Sequence, residues 1–265
     1  MHPRLIHFGH FSLPTYGALL ACAYLIAIGW AMRKAASRGI SSERVADLGI
    51  TILFASLVGS KMTLFLLTPQ DFLSPDGVVR LLRSGGVFYG GLIAATVFGL
   101  WTLRRRKLPL WPVADLLAPS VALGEAIGRI GCLSAGCCYG RPASVPWAIT
   151  FTDPYTLESI GTPLGIPLHP TQIYLSLGAL SIFFLLELLD RRRRFDGQVF
   201  WSYVLLHGAT RFVIELYRGD EVRGFLIADI LSTSQALSLA TLAVATGMLF
   251  YLGRKTPTTG EPASA

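Results

Sequence analysis

Seven stretches of this chain are apolar almost throughout, with short polar segments between them. They cover residues 12–32, 46–67, 86–103, 110–133, 171–189, 198–217 and 235–253. A helix rises about 1.5 Å per residue, so roughly 20 apolar residues cross about 30 Å of hydrocarbon. Most of the seven stretches approach that length. The pattern predicts an all-α multi-pass membrane protein of about seven transmembrane helices. The fourth stretch differs, because Asp115, Glu125 and Arg129 interrupt it. Charge at membrane depth is tolerated against protein or water, so this helix is expected to avoid lipid.

Two connections are long enough to do work. Residues 68–85 predict a short amphipathic helix lying at the membrane interface, with Val78, Val79, Leu81 and Leu82 set against Arg80 and Arg83. Residues 134–170 are rich in Gly, Pro, Trp and Tyr and predict a compact outer cap of turns and short strands. Tyr139, Trp147 and Tyr155 suit the headgroup level. Residues 1–255 thus read as one membrane-embedded domain and 256–265 as a loose cytoplasmic tail. Leu19-Leu20-Ala21-Cys22 imitates a lipoprotein processing site. The apolar run continues past Cys22 and only Arg4 precedes it, so the reading is an uncleaved helix that buries Cys22 as a small apolar residue.

Composition agrees with a membrane domain rather than a soluble enzyme: 52% of residues are hydrophobic and 15% charged. The charge placement adds an orientation. Arg33, Lys34, Arg38 and Arg44 follow the first stretch, and Arg104, Arg105, Arg106 and Lys107 the third. Arg191 to Arg194 follow the fifth, and Arg254 and Lys255 the seventh. These fourteen of the 23 basic residues lie in alternate connections. The positive-inside rule then predicts the N-terminus outside and the C-terminus inside. The net charge of +7 needs no nucleic-acid partner. The clusters lack interleaved aromatics and a soluble domain to carry them, so they read as topology determinants touching anionic membrane lipids.

Three cations stand inside apolar runs: Lys61, Arg129 and Arg211. Each costs roughly 2.5–3.5 kcal/mol on insertion scales unless a polar cavity or an anion receives it. Lipid phosphate is the anion native to a membrane, so a headgroup site is the first expectation. Arg129 lies in the densest motif, Gly128-Arg129-Ile130-Gly131-Cys132, which continues to Gly136-Cys137-Cys138-Tyr139-Gly140-Arg141. Its small residues let a backbone approach another group closely, and guanidinium forks match phosphate oxygens. Glu125 shares a helical face with Arg129, so a plain ion pair is the competing reading. His207, Arg211 and Glu215 follow at i, i+4 spacing with Arg218 three further on. They predict a polar seam toward the bundle interior, or a purely structural ion-pair ladder. Tyr89, beside Gly90 and Gly91, could bond a phosphate, move a proton, or simply pack at the interface.

Taken together these residues resemble the bacterial prolipoprotein diacylglyceryl transferases over nearly the whole chain. The resemblance rests on Tyr16-Gly17, Gly90-Gly91, Asp115 to Pro119, and Gly128-Arg129-Ile130-Gly131. It continues through Gly136, Gly140, Arg141 and His169-Pro170-Thr171-Gln172-Ile173-Tyr174 to Gly208, Arg211, Glu215 and Arg218. It implies a seven-helix enzyme of the bacterial cytoplasmic (inner) membrane with a small outer head. Such an enzyme moves the diacylglyceryl unit of phosphatidylglycerol to the lipobox cysteine of prolipoprotein signal peptides, without metal or organic cofactor. By similarity, Arg129 and Arg211 hold the leaving phosphate. Tyr16, Gly90, Gly91, Cys132, Cys137, Gly140, Arg141, His169, Gln172, Glu215 and Arg218 are expected to line the substrate site.

Several site positions depart from the family pattern. Tyr89 stands where histidine is usual, and Cys132 replaces asparagine. Cys137 and Leu175 each replace a frequent glutamate, and His207 replaces tyrosine. His207 is an attractive replacement base, because imidazole accepts a proton at neutral pH; ionisation of the thiol in the arginine field with no dedicated base is the competing reading. Tyr89 is the weaker candidate for that role. Cys132, Cys137 and Cys138 could be packed thiols, a disulfide, a zinc site or a catalytic thiol. Packed thiols or a disulfide fit best, since no second Cys/His pair lies near and His169 is the only remote ligand. Two other functions stay open: a paralogous lipid-group transferase with another acceptor, and a non-catalytic membrane lipid-binding protein.

Overall fold

The computed structural model describes residues 4–8, 11–74, 76–219, 225–227 and 231–255. The chain opens with an antiparallel hairpin, β1 (Arg4–Phe8) and β2 (Phe11–Pro14). Helices α1 (Thr15–Ala35) and α2 (Ser42–Leu67) follow, then α3 (Gly77–Arg83), α4 (Phe88–Arg105) and α5 (Leu110–Ala135). Next come β3 (Ile149–Thr150), α6 (Pro154–Ile160), β4 (Pro167–Leu168), α7 (Thr171–Asp190) and α8 (Gln198–Glu215). Strands β5 (Phe225–Ile227) and β6 (Leu231–Ser232) precede α9 (Thr233–Lys255).

A long helix stands at each of the seven apolar stretches. Among the described residues, five are long and apolar enough to cross a membrane: Thr15–Arg38, Ser42–Leu67, Leu110–Ala135, Thr171–Asp190 and Thr233–Lys255. Helices α4 and α8 have 18 residues each, a rise of about 27 Å, and the polar seam interrupts α8. Helix α5 is the most enclosed of the five, as its charges require. The expected arm at 68–85 contains α3, whose Val78, Val79 and Leu82 are exposed. The expected tail, 256–265, lies outside the described residues. Cys22 is exposed on α1, contrary to expectation, because its helix face points away from the protein core.

The chain divides into two compact units, one of residues 30–113 and one of the remainder. In the first, α2 and α4 meet along small residues. Gly91 packs on the Ser56 carbonyl, and a side-chain carbon added at Gly90 would lie 2.8 Å from the Gly59 carbonyl. Small residues let helix backbones approach closely, the usual device where lipid removes any hydrophobic drive. Lys61 on α2 donates to the carbonyls of Leu81 (2.9 Å), Leu82 (3.3 Å) and Ser84. It thereby satisfies the orphan carbonyls that end α3.

The second unit holds the rest. Gly124 packs against Ala27 and Gly131 against Tyr16, which brings α5 close to the start of α1. Ser176 of α7 donates to the Ala126 carbonyl of α5 at 2.7 Å. Gly208 of α8 packs on Ser238 and Thr241 of α9. The fully buried Asp115 accepts from the Gly197 and Phe200 amides, both at 2.8 Å, and so caps α8 from 82 residues away. The expected cap at 134–170 consists of the two-residue ladder β3–β4 and the helix α6. Asp153 accepts from the Tyr155 amide to cap α6.

Candidate functional site

Arg129 of α5 and His207 of α8 converge on one carboxylate, that of Glu125. Glu125 accepts from Arg129 Nη2 at 3.1 Å through Oε1, and its Oε2 lies 3.0 Å from His207 Nδ1. The first contact is the local i, i+4 pair; the second joins two helices. The Tyr203 ring lies 5.5 Å from that of His207. One turn along α8, Arg211 Nη2 reaches Glu215 at 3.2 Å. Glu215 is buried and also receives Arg218 Nε at 4.0 Å and the Ser232 hydroxyl at 3.3 Å. A small cavity of about 10 Å³, room for one water, is lined by Glu125, His207, Thr210 and Arg211 with Leu175, Ala179 and Ile182. Arg211 Nη1 is buried with no hydrogen-bond partner among the described residues.

The arrangement holds each charge at membrane depth and leaves capacity over. A guanidinium carries five donors, and Arg129 and Arg211 each commit one nitrogen to a carboxylate. An anion entering here finds fork-shaped donors already oriented. An imidazole whose Nδ1 is held by a carboxylate presents Nε2 as a proton acceptor, the arrangement of many catalytic bases.

The cap joins the polar seam through its turns. Gly140 donates to the His169 carbonyl at 3.0 Å, and Arg141 donates its amide to the Tyr217 carbonyl at 2.9 Å. A side-chain carbon at Gly140 would lie 2.5 Å from the His169 carbonyl oxygen, so only glycine fits. The Arg141 guanidinium stands 5.7 Å over the Tyr217 ring. His169 Nδ1 lies 3.1 Å from the Tyr174 hydroxyl, which also accepts from Trp147 at 2.7 Å. The rings of His169, Tyr174 and Tyr217 pack together edgewise. Gln172 is buried and donates to the Cys137 carbonyl at 2.7 Å; Thr171 donates to that of Cys138 at 2.6 Å. All four cysteines are free, so the three near Gly136 form no disulfide.

The comparisons with known proteins follow the geometry. A family model described as prolipoprotein diacylglyceryl transferase matches residues 3–251. The chain belongs to the prolipoprotein diacylglyceryl transferase family. It is 32% identical over 244 residues to the phosphatidylglycerol–prolipoprotein diacylglyceryl transferase of Clostridium tetani, covering 92% of this chain and 95% of that one. The enzyme of the same name from Thermosynechococcus vestitus is 31% identical over 264 residues, covering 95% and 94%. That from Geobacter sulfurreducens is 27% identical over 258 residues, 96% of each chain.

Within this family member, the expected site residues separate into groups. Arg129 on α5, His207, Arg211 and Glu215 on α8, and Arg218 just beyond it form the seam. Cys132, Cys137, Gly140, Arg141, His169 and Gln172 sit at or beside the cap. Tyr16 packs at Gly131. Tyr89, Gly90 and Gly91 belong to the unit of residues 30–113. There Tyr89 is exposed against Phe88, and α2, through the Thr63 side chain and the Ser56 and Gly59 carbonyls, fills the space beside the glycines. Sequence reasoning left out Glu125 as a site residue. Its i, i+4 spacing to Arg129 was visible, but its contact with His207, 82 positions on, was not.

Proposed function

We propose that this chain transfers the diacylglyceryl unit of phosphatidylglycerol to the lipobox cysteine of prolipoproteins at the outer leaflet of the bacterial inner membrane. The observation that carries the reading is the pair of half-committed arginines beside a His–Glu dyad, in a chain of this family. The acceptor thiol attacks the glyceryl carbon, a C–S bond forms, and the C–O bond to phosphate breaks. Glycerol phosphate leaves, and the thiol proton passes to a base.

Arg129 and Arg211 take the charge that develops on the leaving phosphate, an electrostatic role that strengthens as the bond breaks. His207, oriented by Glu125, accepts the thiol proton. Glu215 and Arg218 hold Arg211 in place. Tyr16, Arg141, His169 and Gln172 shape the approach from the cap, with Cys132, Cys137 and Gly140 in the turn they share. Tyr89 offers a further headgroup contact, while Gly90 and Gly91 serve the packing of α4 on α2. In this reading all seven long helices span, the basic clusters face the cytoplasm, and residues 134–170 face outward.

A lipobox peptide with a free cysteine should gain the diacylglyceryl mass when incubated with the purified protein and phosphatidylglycerol. The matching Cys-to-Ser peptide should not. Lipid binding without turnover would identify a non-catalytic lipid-binding protein. Turnover with a different acceptor would identify a paralogue, which the substitutions at Tyr89, Cys132, Cys137 and His207 make the second reading. Orientation is tested separately with Arg106→Cys and Ile160→Cys in a cysteine-free background. An impermeant thiol reagent should label position 160 and spare 106 in intact cells; the reverse pattern overturns the topology.

A further inference from the structure

The transferase reading uses the arginines and the histidine and places Cys132 and Cys137 beside the substrate, but gives the three sulfurs near them no chemical task. Cys132 lies on the last turns of α5, and Cys137 and Cys138 lie just beyond it. Their Sγ atoms all stand within 4.8 Å of one another, the one group of three or more such ligands among the described residues. Two backbone features bring them together. Gly136 ends the helix with a left-handed φ of 85°, and Cys138 takes φ 59°. Few side chains adopt that region, and here it turns the third sulfur back toward the other two. Helix α7 then fixes the turn, because Thr171 and Gln172 bind the carbonyls of Cys138 and Cys137.

We propose that Cys132, Cys137 and Cys138 form a trithiolate site for a thiophilic d10 cation, such as Zn(II) or Cu(I). A metal–sulfur bond of about 2.3 Å places sulfurs on the order of 3.8–4.0 Å apart in trigonal or tetrahedral coordination. The observed spacing closes to that with a shift of under about 1 Å. Binding breaks three S–H bonds, forms three metal–sulfur bonds and releases up to three protons to solvent. No oxidant is needed. The complex with Zn(II) carries one negative charge and that with Cu(I) two. Guanidinium groups offset that charge: Arg129 lies within electrostatic reach of Cys132 and Cys138, and Arg218 of Cys138.

Soft sulfur ligands select Zn(II) and Cu(I) over Mg(II) or Ca(II), whose preferred donors are oxygen. Three protein ligands leave one coordination position open to water or an incoming thiol. His169 does not supply the fourth ligand through Nδ1, which faces the Tyr174 hydroxyl. The ion would tie the end of α5 to the turn that carries Gly140 and Arg141.

The test reads the metal rather than turnover, so its outcome is independent of the transferase reading. Full-length protein purified in detergent under reducing, chelator-free conditions is titrated with Co(II), and separately analysed for Zn and Cu by mass spectrometry. Uptake of about one equivalent, with a sulfur-to-cobalt charge-transfer band, is expected. The Cys137→Ser and Cys138→Ser proteins should lose the band, and Cys22→Ser should keep it. Should Cys138→Ser misfold, Cys138→Asn serves instead, because asparagine tolerates left-handed backbone. A wild-type protein with native helix content and no band overturns the proposal. So does peptide mapping that finds any two of the three cysteines joined as a disulfide in freshly purified protein.

Discussion

Lys61 and Arg211 pose the same problem in two regions of the molecule, and the regions solve it differently. Each is a cation in an apolar helix. On α2, the three N–H groups of Lys61 meet three carbonyls at the end of α3, and nothing is left to recruit a ligand. On α8, Arg211 gives one nitrogen to Glu215 and keeps Nη1 buried without a partner among the described residues. The surroundings follow suit. The α2–α4 seam is made of glycine, serine and threonine, which close the helices against each other. The α5–α8 seam is made of paired charges around a small cavity. A membrane-depth cation is thus a site only when its donors outnumber its fixed partners.

The largest effect that would sharpen this contrast concerns the base. His207→Phe should lower turnover of a lipobox peptide by about 10²–10⁴ while phosphatidylglycerol binding stays within a few-fold. The rival arrangement has Tyr89 bind phosphate while the thiol ionises in the arginine field, with no dedicated base. It predicts a severe loss for Tyr89→Phe and little for His207→Phe. Profiles of both variants across about pH 5–9 separate the two, and a His207→Phe enzyme with the parental profile removes histidine from the mechanism.

Next in size is the phosphate clamp. Arg129→Ala and Arg211→Ala should each lower turnover by about 10²–10³, the usual cost of one electrostatic donor in a water-poor site. Arg129→Lys and Arg211→Lys should recover little, because an ammonium lacks the planar fork. Glu125 and Glu215 would then lose a buried partner, which costs about 3–5 kcal/mol of stability in comparable pairs. Turnover must therefore be normalised to folded protein, measured by thermal unfolding in detergent. Variants that fold and keep parental turnover would reduce the seam to an ion-pair ladder, and the contrast with Lys61 would vanish.

The elements that could be read in the sequence are those fixed by local patterning. All seven apolar stretches became long helices, and charge inside 110–133 correctly marked α5 as the enclosed one. The stripe His207, Arg211, Glu215 and Arg218 followed from helical spacing alone. Contacts across the chain were not legible. Nothing in a linear sequence says that Glu125 meets His207, or that Asp115 caps α8. The same limit applied to Lys61, whose carbonyl partners lie 20 to 23 residues away at the end of the short helix α3. The motif Gly90-Gly91 suggested room for a backbone or a headgroup, and the structure fills that space with the backbone and small side chains of α2. Sequence spacing grouped the three cysteines but left their use open, because the convergence of their sulfurs depends on two left-handed residues.

The smallest expected effect tests the other side of the comparison. Lys61→Met keeps the length and apolar stem of the side chain but removes all three donors. The carbonyls of Leu81, Leu82 and Ser84 lose one shared partner, and the end of α3 loses a favourable cation. Unsatisfied buried acceptors cost about 1–3 kcal/mol, and less where water can reach them. Two of the three bonds are only part-buried and the third is exposed, so the lower part of that range is expected. The loss should appear as faster proteolysis or hydrogen exchange within residues 77–84, since a short helix opens locally before the domain does. Turnover should stay within about threefold, because α3 holds no group that the proposed reaction uses. A Lys61→Met protein that keeps its α3 protection but loses turnover by the margin seen for Arg211→Ala would place Lys61 among the phosphate ligands. The rule that saturated cations are structural would then fail in the case that defines it.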